Sequence, residues 1–299
     1  MFRNLLVPLD GSRLAEAALP AAAYLAEKLH ASVALVHVLE RNAPSRVHGE
    51  AHLTSEAEAK KYLADLAAGI EPRGLAVEPH VHPEATEDVA RSIAEHVQEL
   101  GRDLVVLCAH GRRGLRELFR GPIGQQVLAH GTAPVLVVRS SGRDRPMEFS
   151  LQQVLVPLDD RAEHAAALEP AVALARACGA TLHLLRVVPT PQTLSGEDAA
   201  GGGMLPRTTA AMLDIACAQA AEKLARRKIE LESTGLVVEA HVVRGDPAQA
   251  IVRAGREHGA DLIVLGTHGH TGFEGFWARS VADRVYRRTR LPVLLVPVG

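Results

Sequence analysis

The chain has 299 residues, enough for two domains that each bury a core. Its formal net charge of −2 argues against a dedicated nucleic-acid binder, and 3% aromatic residues beside abundant Ala, Val and Leu fit helices packed closely on sheets. No apolar run is long enough to span a bilayer, and the opening MFRNLLVPLD passes into a strand without a leader signature. Three irregularly spaced cysteines (Cys108, Cys178, Cys217) match neither a disulfide framework nor a zinc set. A cytoplasmic protein acting on small ligands and protein partners is expected, with neither membrane nor nucleic acid as partner.

The first predicted strand, Asn4 to Leu9, ends at Asp10, and Gln153 to Asp159 (QVLVPLD) repeats it. Pro8 and Pro157 lie near the strand ends, where a missing N–H costs least. Ala-rich amphipathic helices follow, with Ser12 as N-cap of the first and Gly179 closing the second. Pro20 and Pro170 fall inside them, so each kinks its helix or marks a late start. Second strands begin at Ala31 and Ala180 and lead into unequal loops, 40–54 and the longer 189–209, whose Gly201–Gly203 run reads as mobile. Helices are predicted from about Ser55 to Ala68 and from about Ala210 to Ser233. Third strands begin at Leu75 and Leu236, and third helices near Thr86 and Pro247, the latter following Asp246 in a standard start signal.

The fourth strand opens the most informative stretch, Asp261–Ser280 (DLIVLGTHGHTGFEGFWARS). Leu262–Leu265 reads as a strand buried on both faces of a parallel sheet. A loop with Gly266, Gly269, Gly272 and Gly275 follows, and helical periodicity resumes at Ser280. Glycines let backbone N–H groups approach a ligand without intervening Cβ atoms, and the unpaired N–H groups of a helix start carry partial positive charge, so the pattern suits a phosphate. Asp103–Pro122 matches this stretch at a constant offset, pairing Asp103 with Asp261, His110 with His268, Gly111 with Gly269 and Gly114 with Gly272. Last strands are Pro134–Val138 and Pro292–Val296, and Arg139–Ser150 is the linker. The chain is an internal duplication, with domains at 1–141 and 152–299. Each half reads βαβαβαβαβ, which with right-handed crossovers makes a five-stranded doubly wound parallel sheet. The two closing strands, otherwise open edges, are expected to lie together about a pseudo-twofold axis.

The VPLD strand end, the second strand ending His37-Val38 or Val187-Val188, the Gly-x-x-Gly loop and the PVLVV-like closing strand together resemble the universal stress protein family in its tandem form, over nearly the full length of both halves. The resemblance implies two Rossmann-like α/β domains, of the adenine nucleotide alpha hydrolase type, with strand order 3-2-1-4-5 and a cleft where the order reverses. For the ATP-binding branch it implies ATP, with Mg2+, held in the second half by Pro157, Asp159, Val187, Gly266, His268, Gly269, Arg279, Ser280 and Val281. The corresponding first-half positions are Pro8, Asp10, Val38, Gly111 and Gly121. Neither loop matches the family pattern completely. Arg279 replaces one glycine in the second half, and either pairs with phosphate or fills its space. In the first half Cys108 and Pro122 replace a glycine and a serine, removing a backbone donor and a hydroxyl. The second half is therefore the expected site. Arg112, Arg113, Arg116 and Arg120 around the first loop read as a solvated basic face rather than a compensating anion site.

Asp10 and Asp159 could equally meet a ribose or cap the following helix. His110 and His268 lack a recurring nucleophile partner, so a loop-stabilising role is expected rather than catalysis, and Cys108 lacks an adjacent base. His80 and His82 share a strand face, and His48 and His52 would stack one turn apart on a helix. Because the second half keeps His241 alone of the strand pair, no metal site is expected. The implied function is regulatory nucleotide binding, at most with slow ATP hydrolysis; the alternative is a dimeric scaffold that binds no nucleotide. A homodimer of such chains is consistent with either.

Overall fold

A computed structural model describes residues 1–41, 43, 45–47, 50–70, 74–109, 123–139, 148–159, 166–194, 206–268 and 280–298. The first half runs β1 (Asn4–Pro8), α1 (Arg13–Glu16), α2 (Leu19–Leu29), β2 (Ser32–Glu40), β3 (Arg46–Val47), β4 (Glu50–Ala51), α3 (Glu56–Ile70), β5 (Val77–Thr86), α4 (Val89–Glu99), β6 (Leu104–Ala109), α5 (Ile123–His130) and β7 (Val135–Arg139). The second runs β8 (Gln153–Pro157), α6 (Leu168–Cys178), β9 (Thr181–Val188), α7 (Pro206–Glu232), β10 (Val238–Arg244), α8 (Pro247–Glu257), β11 (Leu262–His268), α9 (Val281–Arg288) and β12 (Val293–Val298).

One ten-stranded sheet runs β10-β9-β8-β11-β12-β7-β6-β1-β2-β5. Each half is thus 3-2-1-4-5, parallel throughout, and the halves meet where β12 pairs antiparallel with β7, Leu294 opposite Leu136. Two edges that would otherwise template aggregation satisfy each other within one chain. Successive strand residues bury on opposite faces, as period-two geometry requires. Leu5, Val7, Val154 and Val156 join one core with Leu25, Leu63, Leu174 and Leu224 of α2, α3, α6 and α7. Leu6, Leu155 and Ile263 join the other with Ile93, Val127, Ile251 and Val285 of α4, α5, α8 and α9. At the seam Gln125 donates to the buried Asp283 carboxylate at 3.0 Å. The Arg139 guanidinium lies 4.5 Å from the Tyr286 ring centroid and also donates to the Tyr286 carbonyl.

Local chemistry sets the element ends. Pro20 sits in the first turn of α2, so it marks a late start and the preceding segment makes only the short α1, capped by Ser12. Pro170 likewise lies in the first turn of α6. Gly179 ends α6 at φ +66°, whereas the corresponding His30 ends α2 at φ +53°, a left-handed conformation that costs a non-glycine residue about 1–2 kcal/mol. Four expectations need correction. The 40–54 segment contains the small β3–β4 hairpin, and His52 follows it rather than sitting on a helix. Thr86 is the last residue of β5, and α4 starts at Val89 because Asp88 caps it by accepting from Arg91 N–H. The helix predicted from Ala210 begins at Pro206, which suits a first helical position. His48 lies outside the described residues, as does the run Gly201–Gly203.

Candidate functional site

In both halves the first and fourth strands pair only at their starts: Leu262 and Ile263 with Val154 and Leu155, Leu104 and Val105 with Leu5 and Leu6. Beyond those residues the strands part, opening a crevice at their carboxyl ends where the strand order reverses. Around the second crevice lie Pro157 at the end of β8, Asp159 just beyond it, Val187 near the end of β9, and Gly266 and His268 at the end of β11. Ser280 is the N-cap of α9; its hydroxyl accepts from Asp283 N–H at 3.1 Å, which leaves the hydroxyl proton to donate outward, and Val281 is the first helical residue. Thr267, 3% exposed, has a buried hydroxyl with no partner among the described residues.

Beside this crevice a cavity of about 380 Å3 lies between the end of β8, the start of α6 and the inner face of α7. Asp159 is the predicted residue on its wall. Four cations, Arg186, Lys223, Arg226 and Arg227, face two carboxylates, Asp159 and Glu230. Arg227 pairs with Glu230 at 3.1 Å and Arg226 with Glu222 at 3.8 Å, so the lining keeps a modest positive excess that favours an anionic ligand, and the volume suits a small molecule. The three α7 cations were missed by sequence reasoning; their signal is the KLARRK run from Lys223 to Lys228, whose helical spacing alone does not say which sheet edge it covers.

The first half is built differently at the matching place. Asp10 accepts from Ser12 N–H at 2.9 Å and from the Ser12 hydroxyl at 2.6 Å, and Ser12 in turn caps α1. Glu50 of the β3–β4 hairpin accepts from Arg13 N–H at 2.6 Å. Leu53 lies over Gly11: a Cβ at that glycine, φ +89°, would come 2.8 Å from Leu53 Cγ. His37 is 1% exposed and donates from Nδ1 to the Leu9 carbonyl at 2.7 Å. In the second half the guanidinium of Arg186 donates to the corresponding carbonyl, Leu158, at 3.2 Å. Burial pushes the His37 imidazole below its ordinary range, and Nε2 has no partner among the described residues. Leu53 and Glu50 thus pack against the turn that follows β1, near Pro8, Asp10 and Val38. Gly111, Gly121, Gly269 and Arg279 lie outside the described residues, as do His110, Pro122 and the arginines 112, 113, 116 and 120.

Histidines gather on the sheet face covered by α4 and α8. His82 and His96 approach at 3.2 Å in the first half. In the second, His183, Glu239, His241 and His258 bring ligand atoms within 4.8 Å of one another. Sequence reasoning singled out only His241 of these, because β9, β10 and α8 meet only in the folded sheet.

The universal stress protein family profile matches residues 1–139 and 150–297. A universal stress protein of Synechocystis is 25% identical over 317 aligned positions, spanning 98% of this chain and 99% of the relative. One from Bacillus subtilis is 28% identical over 152 positions, spanning 46% of this chain and all of the relative, as expected where a single unit meets one copy of a duplication. A solved universal stress protein from Archaeoglobus fulgidus superposes with a TM-score of 0.68 at 18% identity, covering 99% of this chain and 96% of that one. With both copies matched, and with the same doubly wound sheet in each, the chain belongs to the universal stress protein family.

Proposed function

We infer that the second half binds an adenine nucleotide, ATP with Mg2+ in the first instance, and that occupancy regulates partners or self-association rather than feeding a dedicated reaction. The observation that carries this reading is the cation-lined cavity at the mouth of β8, with Asp159 on its wall and the Ser280-capped start of α9 across the neighbouring crevice. A carboxylate for a ribose hydroxyl, cations and a helix start for phosphates are the groups a nucleotide requires. A difference between the copies supports it: Arg186 places a cation where the first half has the buried His37. The first half then serves as a structural mate through the β7–β12 seam. Three free cysteines accord with a reducing cytoplasm.

Calorimetric titration of the full chain with Mg-ATP tests the reading. One site is expected, and Lys223→Glu combined with Arg227→Glu should weaken it by about a hundredfold, two hydrogen bonds to charge at 1.5 kcal/mol or more each. Absence of heat and of any thermal shift with ATP, ADP and AMP at millimolar concentration would refute it.

A further inference from the structure

We propose that His183, Glu239, His241 and His258 form a binding site for a divalent zinc-type cation at the amino edge of β9 and β10. This site lies on the sheet face covered by α8 and does not depend on the cation-lined cavity, which lies on the face covered by α7. The strands bring the groups together by register: His183 on β9 sits directly opposite Glu239 on β10, and His241 follows two residues later on the same face. His258 is the C-cap of α8, the helix that covers this face.

The distances are those of a coordination shell. Glu239 Oε2 lies 3.3 Å from His183 Nδ1 and 3.4 Å from His241 Nε2, and the two nitrogens are 3.2 Å apart. For a tetrahedral ion with ligand bonds of about 2.0–2.1 Å, the edges between ligand atoms are about 3.3 Å, so these three atoms already outline one face of the tetrahedron. His258, half-buried, stacks on His241 at 3.9 Å between ring centroids, and its ligand nitrogen lies within 4.8 Å of the other three ligand atoms, in reach of the fourth vertex. The second ring nitrogen of His183 lies 2.7 Å from Gln153 Oε1. An amide oxygen only accepts, so Nε2 carries the proton and Nδ1 presents its lone pair to the cluster, the usual outer-shell arrangement of a metal-bound histidine. Three imidazoles and one carboxylate favour Zn2+ over Mg2+, which prefers an all-oxygen octahedron.

The other copy serves as an internal control. Its β5 carries Glu78 and His80 in the places of Glu239 and His241, but Ala34 stands where His183 does and Leu100 where His258 does. Arg102, in the place of Ala260, draws Glu78 away in an ion pair. Every change between the copies at these positions builds the shell in the second half or dismantles it in the first.

Metal-stripped full-length protein is titrated with Zn2+ in Mg2+-containing buffer, with Co2+ as a spectroscopic probe. One tight equivalent, the visible bands of tetrahedral Co2+ and a raised melting temperature are expected. His183→Ala combined with His258→Leu installs the residues that the first copy tolerates and should abolish all three effects. Glu239→Gln, at an exposed position, should weaken binding by at least about tenfold, and Gln153→Ala by about 10- to 100-fold. His80→Ala with His82→Ala should leave the tight equivalent in place. Absence of a tight equivalent in the unaltered chain, or Zn2+ binding equally strong in the His183/His258 and Glu239 variants, would overturn the proposal.

Discussion

Replacing Gln125 by leucine tests the seam between the two halves. Gln125 and Asp283 occupy matching positions in α5 and α9 and are 8% and 1% exposed, so they meet across the pseudo-twofold axis. Besides Gln125, the carboxylate is held by Arg287 Nε at 2.9 Å from both oxygens. Gln125→Leu keeps the volume and removes one of two donor groups from a buried charge. The expected loss is about 1.5–3 kcal/mol, the net worth of a hydrogen bond to a charged group. Urea unfolding followed by circular dichroism would read this as a lowered midpoint at unchanged slope. Gln125→Glu places two carboxylates about 3 Å apart, where they cannot both stay ionised, so the folded pair has a raised pKa. The folded state then binds more protons than the unfolded state, and the variant must gain stability relative to the parent as pH falls from 7 towards 5. A Gln125→Leu loss below about 0.5 kcal/mol, the range of ordinary surface changes, together with a pH-independent deficit for Gln125→Glu, would refute the account.

Asp246 caps α8 by accepting from Gln249 N–H at 3.0 Å and ties it to α9 through Arg284 at 2.7 Å. Asp246→Ala should cost about 1–3 kcal/mol in unfolding free energy, from the lost cap and a partly exposed ion pair. Burial works to raise its pKa, but the Gln249 N–H and the Arg284 guanidinium outweigh it and the net shift is downward. That contribution is present above the ordinary carboxylate range and lost as pH falls through the depressed value, so the deficit should shrink in strong acid. His37 and His183 are nearly fully buried and shifted down chiefly by burial. The unfolded chain takes up their protons first, so metal-free protein should lose stability as pH falls below about 6.5 and continue to do so towards the folded values. Unfolding midpoints that do not change between pH 7.5 and 5.5 would contradict this.

The duplication, the alternation of strands and helices and the strand order were legible because each rests on local chemistry. Buried parallel strands need unbroken apolar runs, Pro and Gly punctuate helices, and the crossover hand leaves few topologies for βαβαβαβαβ. The pairing of β7 with β12 followed from the same logic of unsatisfied edges. The expectation that the second half is the better site rested on two lost loop residues; the hairpin that brings Leu53 against Gly11 in the first half was not foreseen. Residues 46–51 are too short and polar to announce a hairpin. The long β5 runs through Pro79 and Pro83, residues that disfavour a central strand and are tolerated here on the sheet's edge.

The amino-acid order by itself determined which segments are strands, which are helices, and that the whole occurs twice, because periodicity, caps and glycines act within a few residues. Tertiary structure alone decided which distant side chains share a space: Glu50 beside Arg13, Lys223 and Arg227 over Asp159, and His183, Glu239, His241 and His258 around one point. Strand register and helix placement set those distances, and a register shift of one residue would send His241 to the opposite face of the sheet.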